Sequence, residues 1–379
     1  MRMKKLLILS AAVLGAVACS NTYEVKTAPE KAIGFGTWTE TLTKAREQGS
    51  NDFTNGDDFA VYGFKVNSST NTIVFDDVTV STTDGNSWKY SPVRYWDPSA
   101  TSYTFYAVSP ASVGTAGTVN PETGEMTSAS ITFAGNDNDI LVADKTTVNK
   151  TDGSGNFNNY GKVKMVFNHV VSLVDVKVKK APTLHDATVT VTALSLDNIE
   201  NNGVMTVSAD YNKSTTATPA GANGPVATWS TDTKASYGPA NGVEPITVSE
   251  SSPITIAEDT TFPGSGESYT PGASTPLINS LVVKPQTFST AKDPAASQKL
   301  TITYKISVTG GGENTYTGSV WLADFDKIDD TDQEDTKVAA WEAGKHYVFY
   351  LTLGANSINF TASINPWAEV INGYNYLLN

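Results

Sequence analysis

The chain has 379 residues and carries 39 acidic against 26 basic side chains, a formal charge of −13. That sign argues against nucleic acid or an anionic membrane surface as partners, since both are bound through clustered Lys and Arg. Only 17 % of residues are charged, 10 % are aromatic, and Thr, Ser, Gly and Asn abound, the composition of an extracellular all-β protein, because β-branched and aromatic residues suit pleated surfaces while Gly, Asn and Asp suit turns.

The N-terminus reads as an export signal. Arg2, Lys4 and Lys5 supply a positive start, and Leu6 to Val17 form an apolar run too short for a comfortable membrane span. Small residues Ala16-Val17-Ala18 then precede Cys19, as in a lipoprotein signal, so residues 1–18 are read as the signal peptide and Cys19 as the lipidated mature N-terminus. A plain signal peptide cut near Ala18 is the alternative. Losing three cations and no anion moves the charge from −13 to −16. Cys19 is the sole cysteine, so no disulfide can form within the chain and core burial alone must hold it together. The remaining length suits two domains of ordinary size.

The next element is a strand. Ala32 to Leu42 places Ile33, Phe35, Thr37 and Thr39 on one face, with little bulk at Gly34 and Gly36. From Thr43 to Asn51 the alternation is lost and the chain turns polar around Lys44 and Arg46, which reads as an exposed linker. A strand tied to its domain by a basic, exposed linker can be cut away, although an ordinary first strand followed by a loop has the same spacing.

Farther on, Asn55-Gly56-Asp57-Asp58 is a turn before a strand from Phe59 to Val66, and Ile73 to Val80 is a second strand ended by Asp84-Gly85-Asn86. Trp88 to Trp96 and Tyr103 to Val108 form an aromatic block, best explained by core and cross-strand packing, with a carbohydrate platform as the functional alternative. Short strands follow at Ile131–Phe133 and Asp139–Val142. The polar stretch from Asn149 to Gly161 suits a domain boundary, and Lys162 to Lys179 reads as one long strand buried on both faces. The second half repeats the theme at Thr188–Leu196, Val204–Val207, Pro245–Ile256, Leu277–Val283, Leu300–Val308, Tyr316–Trp321, Trp341–Leu353 and Ile358–Ile364. Polar loops lie at Ser214–Pro225 and Pro263–Pro276. No amphipathic helix of three turns stands out, and short strands at this spacing indicate sandwiches.

Catalytic chemistry is hard to find. His169, His185 and His346 lie far apart and share no metal-ligand spacing; His169 and His346 interrupt strands and suit hydrogen-bonded places on a sheet face. There is no nucleophile elbow, phosphate loop or His-Glu-x-x-His. The acidic run 324–335 has calcium-binding residue types but lacks the glycine and glutamate register of a calcium loop, so a solvated loop is favoured. No cofactor is expected, and the chain is not read as an enzyme.

Several segments together resemble the fimbrillin family, the type V pilins of Bacteroidetes. They are the leader to Cys19, Ile33-Gly-Phe35 before Lys44-Ala-Arg46, and Gly56-Asp-Asp-Phe-Ala-Val-Tyr-Gly-Phe64. Trp88 to Trp96 with Tyr103-Thr-Phe-Tyr-Ala107, Phe167-Asn-His169, Leu281-Val-Val-Lys-Pro-Gln286, and Trp341-Glu-Ala-Gly-Lys-His-Tyr347 leading to Asn365-Pro-Trp367 complete the set. Each motif is weak, but their order spans nearly the whole chain.

The resemblance implies two transthyretin-like β-sandwich domains in tandem, residues 47–160 and 161–379, behind a propeptide of residues 19–46. It implies a lipidated precursor that reaches the outer membrane and cell surface. There, an arginine- or lysine-specific protease cuts after Arg46, leaving Glu47 first (Lys44 is a weaker site), and removes the strand bearing Ile33, Phe35 and Leu42. The opened groove accepts a strand from another fimbrial subunit, a second copy or a paralogue. The tail Glu369–Asn379 is the candidate donor, with Tyr374, Tyr376 and Leu378 alternating to refill the vacated positions. If this short tail stays on its own domain, the subunit belongs at a fimbrial tip or anchor. The other reading is a lipid-anchored surface adhesin that binds host glycans or proteins. Asp259-Thr260-Thr261 resembles the O-glycosylation acceptor of the same bacteria, with a plain loop as the alternative.

Overall fold

The structure is a computed structural model and describes residues 32–38, 53, 56–68, 70–85, 87–114, 118–119, 126–132, 139–150, 157, 162–184, 186–207, 227–230, 234–237, 248–256, 275–327, 337–355 and 358–366. Its first part runs β1 (Phe35–Trp38), β2 (Asp58–Asn67), β3 (Thr70–Thr82), β4 (Trp88–Lys89), β5 (Ser102–Ser109) and a single turn α1 (Ala111–Gly114). It continues through β6 (Thr118–Val119), β7 (Met126–Thr132), β8 (Leu141–Ala143), β9 (Thr146–Asn149) and β10 (Val163–His169). The fold is all-β, as the composition indicates.

Eight of these strands, all but β6 and β7, build a sheet in the order β1-β10-β8-β5-β2-β3-β4, with β9 also pairing β5. Gly56, at φ 94°, turns the chain just before β2, and Gly85, at φ 74°, turns it after β3, both in a conformation that favours glycine. Along β2 the period of two is plain: Phe59 and Val61 face one core, while Ala60, Tyr62 and Phe64 face another. Gly63 sits between them because a Cβ there would lie 2.9 Å from the Phe75 ring and 3.0 Å from that of Phe105. Trp96, Tyr103 and Phe105 are buried, so this part of the aromatic block is core, and Phe157 stacks on Trp96 at 5.2 Å.

The later strands are β11 (Ser172–Lys180), β12 (Ala187–Glu200), β13 (Asn202–Val207), β14 (Ala227–Trp229), β15 (Lys234–Tyr237), β16 (Ile254–Thr255) and β17 (Thr275–Val283). They are followed by β18 (Gln286–Thr287), β19 (Lys299–Val308), β20 (Glu313–Trp321), β21 (Asp326–Lys327), β22 (Ala340–Trp341), β23 (Lys345–Leu353) and β24 (Ile358–Pro366). One sheet is ordered β17-β11-β23-β24-β21 and a second β15-β12-β19-β20, with β16 on β12. Val176, Val178, Phe349 and Leu351 from the first share a core with Val189, Val191, Ile302 and Tyr304 from the second, the arrangement of a sandwich.

Two expectations change. The stretch Lys162–Lys179 is not one strand but two, β10 and β11, interrupted at Val170-Val171. Residues 165–176 are buried on both faces, as their mostly apolar character requires, but β10 bonds to β8 and β1 whereas β11 bonds to β17 and β23. The chain therefore changes sheets where a one-dimensional pattern shows only continuous hydrophobicity. Of Pro245–Ile256, only Ile254–Thr255 is strand among the described residues, because Ser249 and Ser252 close a turn on each other through both backbone N–H groups.

The two halves are also joined by hydrogen bonds. β13 and β14 pair with β7 and β6 in a sheet ordered β14-β13-β7-β6, drawing strands from both halves of the sequence. Where β12 leads into β13, the buried Lys284 ammonium lies 2.6 Å from Glu200 Oε2 and also donates to the Ser230 carbonyl. Among the described residues no helix is long and apolar enough to cross a membrane.

Candidate functional site

The site is the seat of the first strand. Ile33 and Phe35 alternate inward, as the period of two predicts, and are 1 % and 2 % exposed. Phe35 meets four rings edge-on, those of Phe75, Tyr90, Phe105 and Phe59, with centroids 5.4, 5.7, 5.8 and 6.2 Å away. Such edge-to-face contacts add about 0.5–1.5 kcal/mol each beyond simple burial. Burial itself contributes roughly 1.5–3 kcal/mol for each of the two side chains.

The backbone is held on both sides, and differently. β1 runs parallel to β10 in the register Phe35 to Val163, Gly36 to Lys164, Thr37 to Met165 and Trp38 to Val166, and the Val163 N–H donates to the Gly34 carbonyl at 2.7 Å. On the other side the Ile33 N–H donates to the Arg94 carbonyl at 2.9 Å, and Ala32 makes a single antiparallel bridge with Tyr95. The Tyr90 hydroxyl donates to the Ile33 carbonyl at 2.6 Å while accepting the Arg94 N–H at 3.1 Å. Burial pushes the Tyr90 phenol above its ordinary pKa, against the lowering effect of Arg94, so it stays a donor at neutral pH. The first strand thus fills the gap between β10 and the segment after β4. Without it, β10 would present a row of unpaired backbone groups, a template for another strand.

Of the residues singled out in the sequence, Ile33 and Phe35 come together here. Leu42, Arg46, Glu47, Cys19, Thr260, His185 and the donor trio Tyr374, Tyr376 and Leu378 lie outside the described residues. Tyr90, Arg94 and the parallel partner β10 were not visible as parts of one site. The aromatic run near Trp88 was a signal, but nothing in its spacing says that it surrounds Phe35.

The buried polar groups serve other places. His169 Nδ1 is 2.8 Å from Asp139 Oδ1, and His346 Nε2 stands 3.3 Å from Asp175 Oδ2. Asp175 also accepts the Ser280 N–H at 2.6 Å. Burial pushes the Asp175 carboxyl up, but the His346 charge and these bonds together hold it below the ordinary value. In the acidic run, Asp324 lies 2.9 Å from Lys292 and Asp326 pairs with Lys337. Among the described residues no group of three His, Cys, Asp or Glu is gathered as a metal would require.

Fold and seat together define an all-β protein of stacked sheets whose N-terminal strand closes the edge of the first sheet. A sequence model described as Fimbrillin-like matches residues 43–367. The chain belongs to this family. Among solved structures, a fimbrial protein from Bacteroides vulgatus is 17 % identical, with a TM-score of 0.50 over 89 % of this chain and 99 % of that one. A fimbrilin from Porphyromonas gingivalis is 11 % identical, with a TM-score of 0.38 over 89 % and 97 %. The tip fimbrial protein Mfa3 from the same organism, with C-terminal truncation, is 13 % identical, with a TM-score of 0.33 over 86 % and 97 %. The first of these shows a shared fold. No curated protein matches the chain. Family membership supports a fimbrial subunit role at the cell surface and assembly with other fimbrial subunits.

Proposed function

We propose that this chain is a structural subunit of a surface fimbria, built by strand exchange at the first-strand seat. It is exported as a lipoprotein through Cys19, carried to the outer membrane, cut between Arg46 and Glu47 by a processing protease, and relieved of the strand bearing Ile33, Phe35 and Leu42. The emptied seat then takes a strand from another subunit, and the tail bearing Tyr374, Tyr376 and Leu378 is the candidate donor. Thr260 is the candidate glycosylation acceptor, and adhesion to host glycans or proteins is what the assembled fimbria would support. Residues 47–160 and 161–379 are the proposed division into two domains.

The observation that carries this reading is the seat itself: a four-residue strand, Phe35–Trp38, whose Phe35 and the preceding Ile33 are deeply buried, laddered to β10 on one side and held on the other, among the described residues, through Ala32 and Ile33. An element of this kind can leave without unravelling the strands behind it, and the groove it vacates favours a replacement.

The test is the N-terminus of the protein recovered from the cell surface, by intact mass and terminal sequencing. Glu47 as the first residue is expected. A lipidated Cys19 on the mature surface form would overturn the stalk role and leave an anchor subunit or a lipid-anchored adhesin.

A further inference from the structure

The sheet ordered β15-β12-β19-β20 ends in a long bare edge. β20 runs nine residues, Glu313–Trp321, all nine paired to β19 without a shift of register. Among the described residues no strand bonds to its other side. Folded proteins usually blunt such an edge with charge, proline, a bulge or a covering element. Two other long edges of this molecule are blunted in that way. β17 carries Pro276, two register shifts against β11 and Ser280 at φ 63°. β3, which β4 covers for only two residues, carries Asp76 and Asp77, the latter at φ 51°. β20 has no proline, no left-handed residue and a single charge. That charge is Glu313, held by Lys305 at 2.9 Å and by the Ser307 hydroxyl at 3.0 Å. Glu313, Asn314, Thr315, Thr317 and Ser319 are all exposed.

We infer that β20 pairs antiparallel with β20 of a second copy of this chain, centred on Thr317, so that one sheet continues across a two-fold axis. This register pairs all nine residues of the strand. On the outer face Thr317 meets its own counterpart and Thr315 meets Ser319 of the second copy. These contacts extend the hydroxyl pairs Thr301–Ser319 and Thr303–Thr317, each at 3.0 Å within one copy. On the inner face Tyr316 comes opposite Gly318 of the second copy, a ring covering a strand glycine. Glycine is required at 318, since a Cβ there would lie 2.5 Å from Ile358 Cδ1. Tyr316 and Ile358 are each only partly buried, so pairing covers apolar surface that one copy leaves at its edge. Glu313 meets Trp321 of the second copy, so no anion faces another. A chain of net charge −13 otherwise repels its own copies, which makes this nearly neutral edge the place for them to meet. The contact is isologous and closes on two copies. It uses neither the first-strand seat nor strand exchange. Its consequence does rest on that proposed function: along assembled fimbriae the contact would repeat and tie filaments side by side, many weak pairs acting together.

The test is cross-linking of the unprocessed chain carrying Cys19→Ser, so that each introduced cysteine is the only one. Paired strands place Thr317 about 4.5–5.5 Å from its counterpart, Cα to Cα, within reach of a disulfide. Under mild oxidation Thr317→Cys is expected to form a covalent dimer about tenfold faster or more than Val308→Cys, because pairing raises the local concentration of the thiol. Val308 is the control because it is 51 % exposed and lies at the end of β19, off the edge. In a mixture, Thr315→Cys should link to Ser319→Cys and neither to itself, since antiparallel pairing sets like positions on the order of 13 Å apart. If Thr317→Cys dimerises no faster than Val308→Cys, the pairing is overturned and the first-strand seat is untouched. If Thr315→Cys links to itself as fast as to Ser319→Cys, the antiparallel register is overturned.

Discussion

The first-strand seat and the β12-β19-β20 ladder use the same residue chemistry to opposite ends. Both bury alternating apolar side chains from a strand. In the ladder, β19 is bonded along its length on both sides, with ten paired positions against β12 and nine against β20. Thr301–Ser319 and Thr303–Thr317 hydroxyl pairs at 3.0 Å reinforce its outer face. In the seat, β1 has four paired positions on one side, and on the other the chain just before it is held by the Ala32–Tyr95 bridge and by the hydrogen bonds of Ile33 with Arg94 and Tyr90. The lesson is that depth of burial and difficulty of removal are separate quantities. Phe35 and Ile302 are equally hidden, but only Ile302 sits in a strand whose departure would break two ladders.

The matched pair Phe35→Ala and Ile302→Ala tests that contrast most directly. Phe35→Ala should weaken docking of the first strand by about 3–5 kcal/mol, and Ile302→Ala should cost about 2–5 kcal/mol of global stability. Hydrogen exchange should show the first loss confined to residues 33–38 and their partners in β10, with the urea midpoint nearly unmoved. The second should shift the midpoint of the whole chain. Equal shifts in midpoint would erase the distinction between the two regions.

A pH titration sharpens it further. The folded pKa of Asp175 lies below its ordinary value, so its contribution to stability is present above about pH 4 and is lost as pH falls through the folded pKa. Asp175→Asn should cost about 1–3 kcal/mol at pH 7 and flatten the acid limb of the stability curve, because a buried charge-assisted hydrogen bond is removed. Asp175 lies on β11, so first-strand release should not follow this limb. A parallel acid dependence of strand release would mean that the regions are coupled.

The smallest effect is expected from Tyr90→Phe, which deletes the hydroxyl between Ile33 and Arg94 while keeping the ring against Phe35. About 0.5–1.5 kcal/mol of strand docking should disappear, read as faster hydrogen exchange at residues 33–38, with no change in global unfolding.

Much of this architecture was readable in advance because it depends on local chemistry. The inward pair Ile33 and Phe35 follows from a period of two, and the turn at Gly56 before β2 follows from a glycine followed by aspartates. The boundaries of β19 follow from the clean alternation between Leu300 and Ile306. The reading failed where one pattern serves two environments. The apolar run around Val170 is compatible with one buried strand or with two that part at a junction, and hydrophobicity has no term for which sheet a residue joins. The seat was half visible: the inserted strand could be named, whereas Tyr90, Arg94 and β10 reach it from far along the chain.

By itself, then, the sequence determined the all-β class and which face of the strands turns inward, since both depend on composition and on a backbone whose side chains alternate. Only the tertiary structure decided that β1 lies parallel to β10 and that Arg94 and Tyr95 close its other side. It also decided that β6, β7, β13 and β14 share a sheet. Those pairings join residues far apart in the chain, and the backbone groups that form them are the same in every residue but proline. No side-chain pattern names the partner until burial of both faces selects it.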